Sequence, residues 1–137
     1  MTEPLPLQGY ITSRAFQGNR AAQAVQNLVI RDYARRAGLD FRLSGTEYAM
    51  PGSTMMLRQL VDALGSQLGG IILYSLFQLP GDQARRHDVY ARVIAAGANL
   101  HCALEGLVIA DADDARQAED IWLVNQATAP RDFGVMA

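Results

Sequence analysis

The chain has 137 residues, half of them apolar and 19% charged, with a net charge of −2, which is ordinary composition for one domain that buries its own core. No apolar run approaches the roughly 18 residues of a membrane span, and the opening Met1-Thr2-Glu3-Pro4 lacks the basic and apolar stretches of a secretory signal. A single cysteine, Cys102, excludes an internal disulfide and fits a reducing compartment, so the chain reads as cytoplasmic.

Pro4 and Pro6 give residues 1–8 the character of an extended lead-in, and Gly9 to Ser13 predicts a first strand. Arg20 to Ala37 has helical periodicity, with Ala21, Val25, Leu28 and Val29 on one face and Arg31 and Arg35 pointing away. Gly38 stands where a helix C-cap glycine is expected, after Arg35-Arg36. Leu39 to Ser44 predicts a second strand, and Gly45 to Ser53 a loop holding Glu47, Tyr48, Pro51 and Gly52. Ser53 or Thr54 caps a second helix to about Leu64, with Met56, Leu57, Leu60, Val61 and Leu64 inward. Ile71 to Phe77 is a continuous apolar run, the mark of a central parallel strand buried on both faces. After Pro80-Gly81-Asp82, a third helix runs from about Gln83 to Ala96 with Val89, Val93 and Ala96 inward. Asn99 to Leu104 predicts a fourth strand. Asp111 to about Val124 predicts a fourth helix, its first turn carrying Asp111, Asp113 and Asp114 as the helix dipole favours. The alternation predicts one α/β domain over residues 1–126, a three-layer α/β/α sandwich on a mainly parallel sheet of four or five strands. Residues 127–137 read as an irregular tail.

In such sheets a ligand sits beyond the carboxyl ends of the strands, near the switch in strand order. The pattern places Thr12, Ser13 and Arg14 there from the first strand, and Thr46, Glu47 and Tyr48 from the loop after the second. The third strand adds Tyr74, Ser75 and Gln78, and the fourth His101, Cys102 and Glu105. Arg14 is the candidate anion clamp, before a helix N-terminus near Asn19-Arg20. Ser13 and Thr12 are its hydrogen-bonding neighbours, and Tyr48, Tyr74 and Ser75 complete the binding residues. Glu47 and His101 are the candidate acid-base pair. Each has a plainer reading: turn capping for Ser13 and Thr12, a solvated charge for Arg14, a satisfied core histidine for His101. Cys102 alternates to the opposite face from His101 and reads as core, and His87 as surface.

All twelve basic residues are arginine, so Schiff-base chemistry and a P-loop lysine are excluded. There is no G-x-G-x-x-G, G-x-S-x-G or C-x-x-C, and His87 and His101 lack the spacing of a metal pair. No metal and no cofactor is expected. The acidic balance argues against general nucleic-acid binding.

Two resemblances follow from these stretches. The layout from Tyr10 to Gly106 resembles the catalytic domain of serine recombinases (resolvases and invertases). It rests on Tyr10-Ile11-Thr12-Ser13-Arg14, on the helix through Asp32-Tyr33-Ala34-Arg35-Arg36, on Pro51-Gly52 before Leu57-Arg58-Gln59-Leu60, and on Ile71 to Leu79. That family carries Tyr-x-Arg-x-Ser after its first strand, and here those arginine and serine positions read Thr12 and Arg14. Its arginine before the Pro-Gly reads Met50, and its Asp-Arg pair after the third strand reads Phe77-Gln78. The resemblance thus implies the fold without the strand-cleaving residues.

The stretches "LQGYITSRAFQGNRAAQAVQNLVIRDYA", "EYAMPGSTMMLRQL" and "ILYSLFQLP" resemble the sporadic carbohydrate cluster protein family, whose gene neighbourhoods serve surface-polysaccharide or unusual-sugar biosynthesis. This resemblance implies a pathway and no mechanism. The expectation is a protein that binds a small anionic sugar or sugar-nucleotide at the sheet edge, with isomerase-, epimerase- or lyase-type chemistry. A non-catalytic oligomeric binding or assembly subunit for a partner enzyme is the alternative, with the tail around Phe133 to Met136 docking a neighbour. A degenerate recombinase-like domain that still touches DNA is the third. Self-association as a homo-oligomer is expected on either of the first two readings.

Overall fold

The computed structural model describes residues 4–13, 21–50 and 52–128. Among them, β1 (Leu7–Ile11), β2 (Phe41–Thr46), β3 (Gly70–Leu73), β4 (Asn99–Cys102) and β5 (Leu107–Ile109) form one sheet in the order β2-β1-β3-β4-β5. The first four strands run parallel, and β5 returns antiparallel to β4. The helices are α1 (Gln23–Ala37), α2 (Met55–Asp62), α3 (Gln83–Ala95) and α4 (Ala112–Thr128). The architecture is the expected three-layer α/β/α sandwich on a mainly parallel sheet.

The two faces of the sheet are covered unequally. Ile71 and Leu73 of β3 point into the larger core with Leu57, Leu60 and Val61 of α2, Val89 and Val93 of α3, and Trp122 of α4. Ile72 points the other way, into a smaller core with Leu7, Ile11, Ile30 and Ala34 under α1. Strand alternation therefore sends three helices to one side and one to the other. Cys102 and His101 split between the two sides as their spacing predicts, with Cys102 in the larger core. Burial raises the Cys102 thiol pKa, so it stays protonated.

Four local expectations are corrected. The inward face of α1 is Gln26, Ile30 and Ala34, while Val25 is 46% and Leu28 66% exposed. A glutamine heads the buried row because its amide has partners beneath the helix, described below. The third strand ends at Leu73. At Ser75 the chain turns into a single 3-10 turn, Leu76–Gln78, because the Ser75 hydroxyl accepts from the Phe77 N–H (3.2 Å) and the Gln78 side-chain carbonyl accepts from the Ser75 N–H (3.2 Å). The fourth strand ends at Cys102, and the chain reverses through Gly106, at φ +66° in the left-handed region that favours glycine, into a fifth strand. The fourth helix runs to Thr128, past the expected end near Val124, and residues 129–137, including the Phe133 to Met136 stretch, lie outside the described residues.

Other signals hold. Gly38 closes α1 at φ +69°, its N–H bonded back to Arg35. The Asp114 N–H donates to Asp111 Oδ1 (2.8 Å) at the start of α4. No described helix is long and apolar enough to cross a membrane.

One buried ion pair joins α3 to α4. Arg86 donates through Nε and Nη2 to the two oxygens of Glu119 (2.9 and 2.8 Å), and the Tyr90 hydroxyl donates to the same carboxylate (2.7 Å). Arg86 Nη1 also reaches the carbonyls of Pro80 and Gly81 (3.2 and 2.8 Å), and the guanidinium lies 3.9 Å over the Trp122 ring. Burial raises the Glu119 pKa, but the hydrogen bonds from Arg86 and Tyr90 and the Arg86 charge outweigh it, and the net shift is down. Removing one member leaves the other charge buried and uncompensated. Arg86→Met should therefore cost about 3–5 kcal/mol in urea denaturation, while the double variant Arg86→Met/Glu119→Leu should recover much of that loss. A single variant as stable as wild type would show that the pair is solvated.

Candidate functional site

The strand order reverses at β1. From β1 the chain crosses by α1 to β2 on one side, and it comes back by α2 to β3 on the other. The carboxyl ends of β1 and β3 are thus the switch point where α/β sheets open a crevice. Ser13 and Tyr74 stand there half-buried, and Thr12, Ser75 and Gln78 are buried beside them. Arg14 lies outside the described residues, one position beyond Ser13.

The floor of this corner is a closed amide network. Gln26 of α1 pairs with the backbone of Thr12 as a neighbouring strand would: the Thr12 N–H donates to Gln26 Oε1 (2.9 Å), and Gln26 Nε2 donates to the Thr12 carbonyl (2.6 Å). Gln26 Nε2 also donates to the Ala21 carbonyl (2.8 Å). Gln78 Nε2 donates to Gln26 Oε1 (2.8 Å) and to Thr12 Oγ1 (3.3 Å). Thr12, Gln26 and Gln78 are all fully buried. Burial of so many amide groups is tolerable because each has a partner. The network continues outward: the Ser75 hydroxyl donates to Glu105 Oε2 (2.8 Å), and the Leu76 N–H donates to Glu105 Oε1 (2.9 Å).

Glu47, the first acid-base candidate, is 2% exposed at the end of β2. Its carboxylate accepts from the Tyr10 hydroxyl (2.8 Å), the Ser53 hydroxyl (2.8 Å) and the N–H groups of Tyr48 (3.0 Å), Met56 (3.1 Å) and Leu57 (3.2 Å). Two of these donors, Met56 and Leu57, lie in the first turn of α2, for which Thr54 gives no side-chain cap. Glu47 is therefore the long-range cap of α2. Burial pushes its pKa up, but the hydrogen bonds from Met56, Ser53, Tyr10 and Leu57 outweigh this, and the net shift is down. The Tyr48 ring itself is exposed.

His101, the second candidate, lies on the α1 side of the sheet. Its Nδ1 is 2.6 Å from the Tyr33 hydroxyl, and its buried Nε2 has no hydrogen-bond partner among the described residues. Burial lowers its pKa from 6.5 and raises that of Tyr33, so the imidazole is neutral at pH 7. Glu47, just after β2, and His101, in β4, lie three strand spacings apart, about 14 Å. They also belong to opposite faces. The structure brings Thr12, Ser13, Tyr74 and Ser75 to one corner and leaves Glu47 and His101 on either side of it.

The residues missed by sequence reasoning are Gln26 and the partnership of Gln78 with it. A glutamine at the head of the row Gln26, Ile30, Ala34 was the available signal. Among the described residues no group of three or more histidines, cysteines or acids gathers as a metal site would require.

No protein-family model matches the chain, and no curated protein matches its sequence. Solved structures do. The fold is similar to the N-terminal catalytic domain of TP901-1 integrase, at 15% identity and a TM-score of 0.58, covering 88% of this chain and 95% of that one. It is also similar to a resolvase family site-specific recombinase from Streptococcus pneumoniae, at 10% identity and a TM-score of 0.64, covering 88% and 89%. At these identities the likeness is one of fold, and it bears out the resolvase-like layout.

Glu47→Gln keeps the shape but removes the charge that five donors face, and should cost about 2–4 kcal/mol by urea denaturation at pH 7. The folded pKa lies below the unfolded one, so the carboxylate contributes fully above about pH 4.5 and its contribution fades as pH falls through the folded value. The gap between wild type and Glu47→Gln should therefore narrow between pH 5 and pH 3. A gap that is absent at pH 7, or unchanged by acid, would contradict the capping role.

Proposed function

We propose that this protein is a non-cleaving binding or assembly subunit of carbohydrate biosynthesis, built on the recombinase catalytic-domain fold. Its ligand is a small anionic sugar or sugar-nucleotide held at the β1/β3 corner. One observation carries this reading: Thr12 and Gln78 occupy the places where the recombinase resemblance puts two arginines, and they are hydrogen-bonded to each other and buried. Two cations at that separation would repel; two neutral side chains close the floor with no charge to offer a DNA phosphate.

The rest of the edge agrees. Glu47 is a saturated carboxylate, and His101 is a neutral core histidine bonded to Tyr33. Neither is poised for proton transfer to a ligand at the corner. That supports binding over acid-base turnover. Ser13 and Tyr74 stand half-buried at the mouth, with Arg14 next in sequence to pair with a ligand's phosphate or carboxylate. The resemblance of three long stretches to the sporadic carbohydrate cluster proteins supplies the ligand class.

The test is binding and turnover with the same samples. Nucleotide-sugars titrated into the 15N-labelled protein should shift the Ser13 and Tyr74 resonances, and Ser13→Ala with Arg14→Ala should weaken binding by about tenfold or more. Proton NMR of the mixtures should show no product, and supercoiled DNA should stay uncut. Turnover of a nucleotide-sugar, or a covalent protein–DNA product, would overturn the proposal.

A further inference from the structure

A second basic feature lies away from this corner. Arg58 of α2 and Arg85 and Arg92 of α3 line one groove between the two helices, with a cavity of about 460 Å³, together with Thr54, Asp88 and Val89. The chain is acidic overall, with twelve arginines for 14 acids, yet three arginines meet here. Arg92 is paired with Asp62 at the far end of α2. Arg58 and Arg85 make no ion pair among the described residues, whereas Arg36 pairs with Asp32, Arg86 with Glu119 and Arg116 with Asp113. A smaller hollow adjoins the groove, sharing Thr54 and Arg85 and adding Gly52, Gly81 and Asp82.

We infer that this groove between α2 and α3 binds a phosphate ester that also carries hydroxyl groups, with Arg58 and Arg85 taking the phosphate. The cavity has the size of a small-ligand site. Two guanidinium forks from facing helices match a tetrahedral dianion better than a single carboxylate. Val89 gives the floor an apolar patch, being a buried core residue of α3. Asp88 and the Thr54 hydroxyl, which caps nothing, supply an acceptor and a donor for ligand hydroxyls. Asp88 and Asp82 also repel a bare polyanion, which favours a monophosphate on a hydroxylated body over inorganic pyrophosphate. The inference does not depend on the Ser13 corner.

The experiment is calorimetric titration of the whole chain at about 50 mM salt with glucose 1-phosphate, glucose, inorganic pyrophosphate and a 12-base-pair DNA duplex. Glucose 1-phosphate should bind and glucose should not. Arg58→Ala and Arg85→Ala should each weaken it by about tenfold or more. Both side chains are exposed, so thermal melts should be unchanged. Asp88→Asn should weaken glucose 1-phosphate while improving pyrophosphate. The titrations are run in the Ser13→Ala/Arg14→Ala background, where the corner is silenced and the groove should still bind glucose 1-phosphate, which separates the groove from the corner. No binding of glucose 1-phosphate, binding that survives both arginine variants, or a groove that prefers the duplex would each overturn the inference.

Discussion

The carboxyl end of β1 is held by a side chain that imitates a strand. A primary amide offers an acceptor and a donor side by side, as a peptide does, and Gln26 uses both on the backbone of Thr12. This extends the paired length of β1 by a residue past Ile11, where the sheet itself has stopped. It also fixes the rotation of α1, because the glutamine must face inward, and so decides that Ile30 and Ala34 rather than Leu28 fill the smaller core. Gln78 locks the 3-10 turn after β3 onto the same amide. Three elements therefore meet at one uncharged, fully buried hub, where a missing partner would cost more than the bond itself contributes.

That hub bears on function through charge. Thr12 and Gln78 are satisfied by each other and carry no charge, and the neighbouring carboxylates are occupied as structural acceptors, Glu47 for α2 and Glu105 for the 3-10 turn. The same fold serves unrelated functions by changes of this kind at its strand ends. Arg58, Arg85 and Arg92 instead line the groove between α2 and α3.

The parts of the fold legible in the sequence are those governed by burial of apolar residues. The run from Ile71 marks a strand buried on both faces, and Leu57, Leu60 and Val61 mark the inner side of α2. His101 and Cys102 fall on opposite faces because strand period alone decides it. What was illegible is governed by polar satisfaction over distance. Gln26 has no place on the apolar face of α1 read from the sequence unless Thr12 is known to lie beneath it. Glu47 reads as a free loop carboxylate unless the start of α2 is known to face it. Arg86 is buried only because Glu119, 33 residues on, is there to meet it. The strand β5 has three residues, too few to show a period.

Amide hydrogen exchange at Thr12 tests the central claim most directly. The residue lies beyond the end of β1, where an edge loop would exchange rapidly. With Gln26 closing the pair, the Thr12 N–H should exchange as slowly as Ile72 in the middle of β3, and Gln26→Leu should speed it by about a hundredfold or more while leaving Ile72 slow relative to it. Rapid exchange at Thr12 in the wild-type protein would contradict the account.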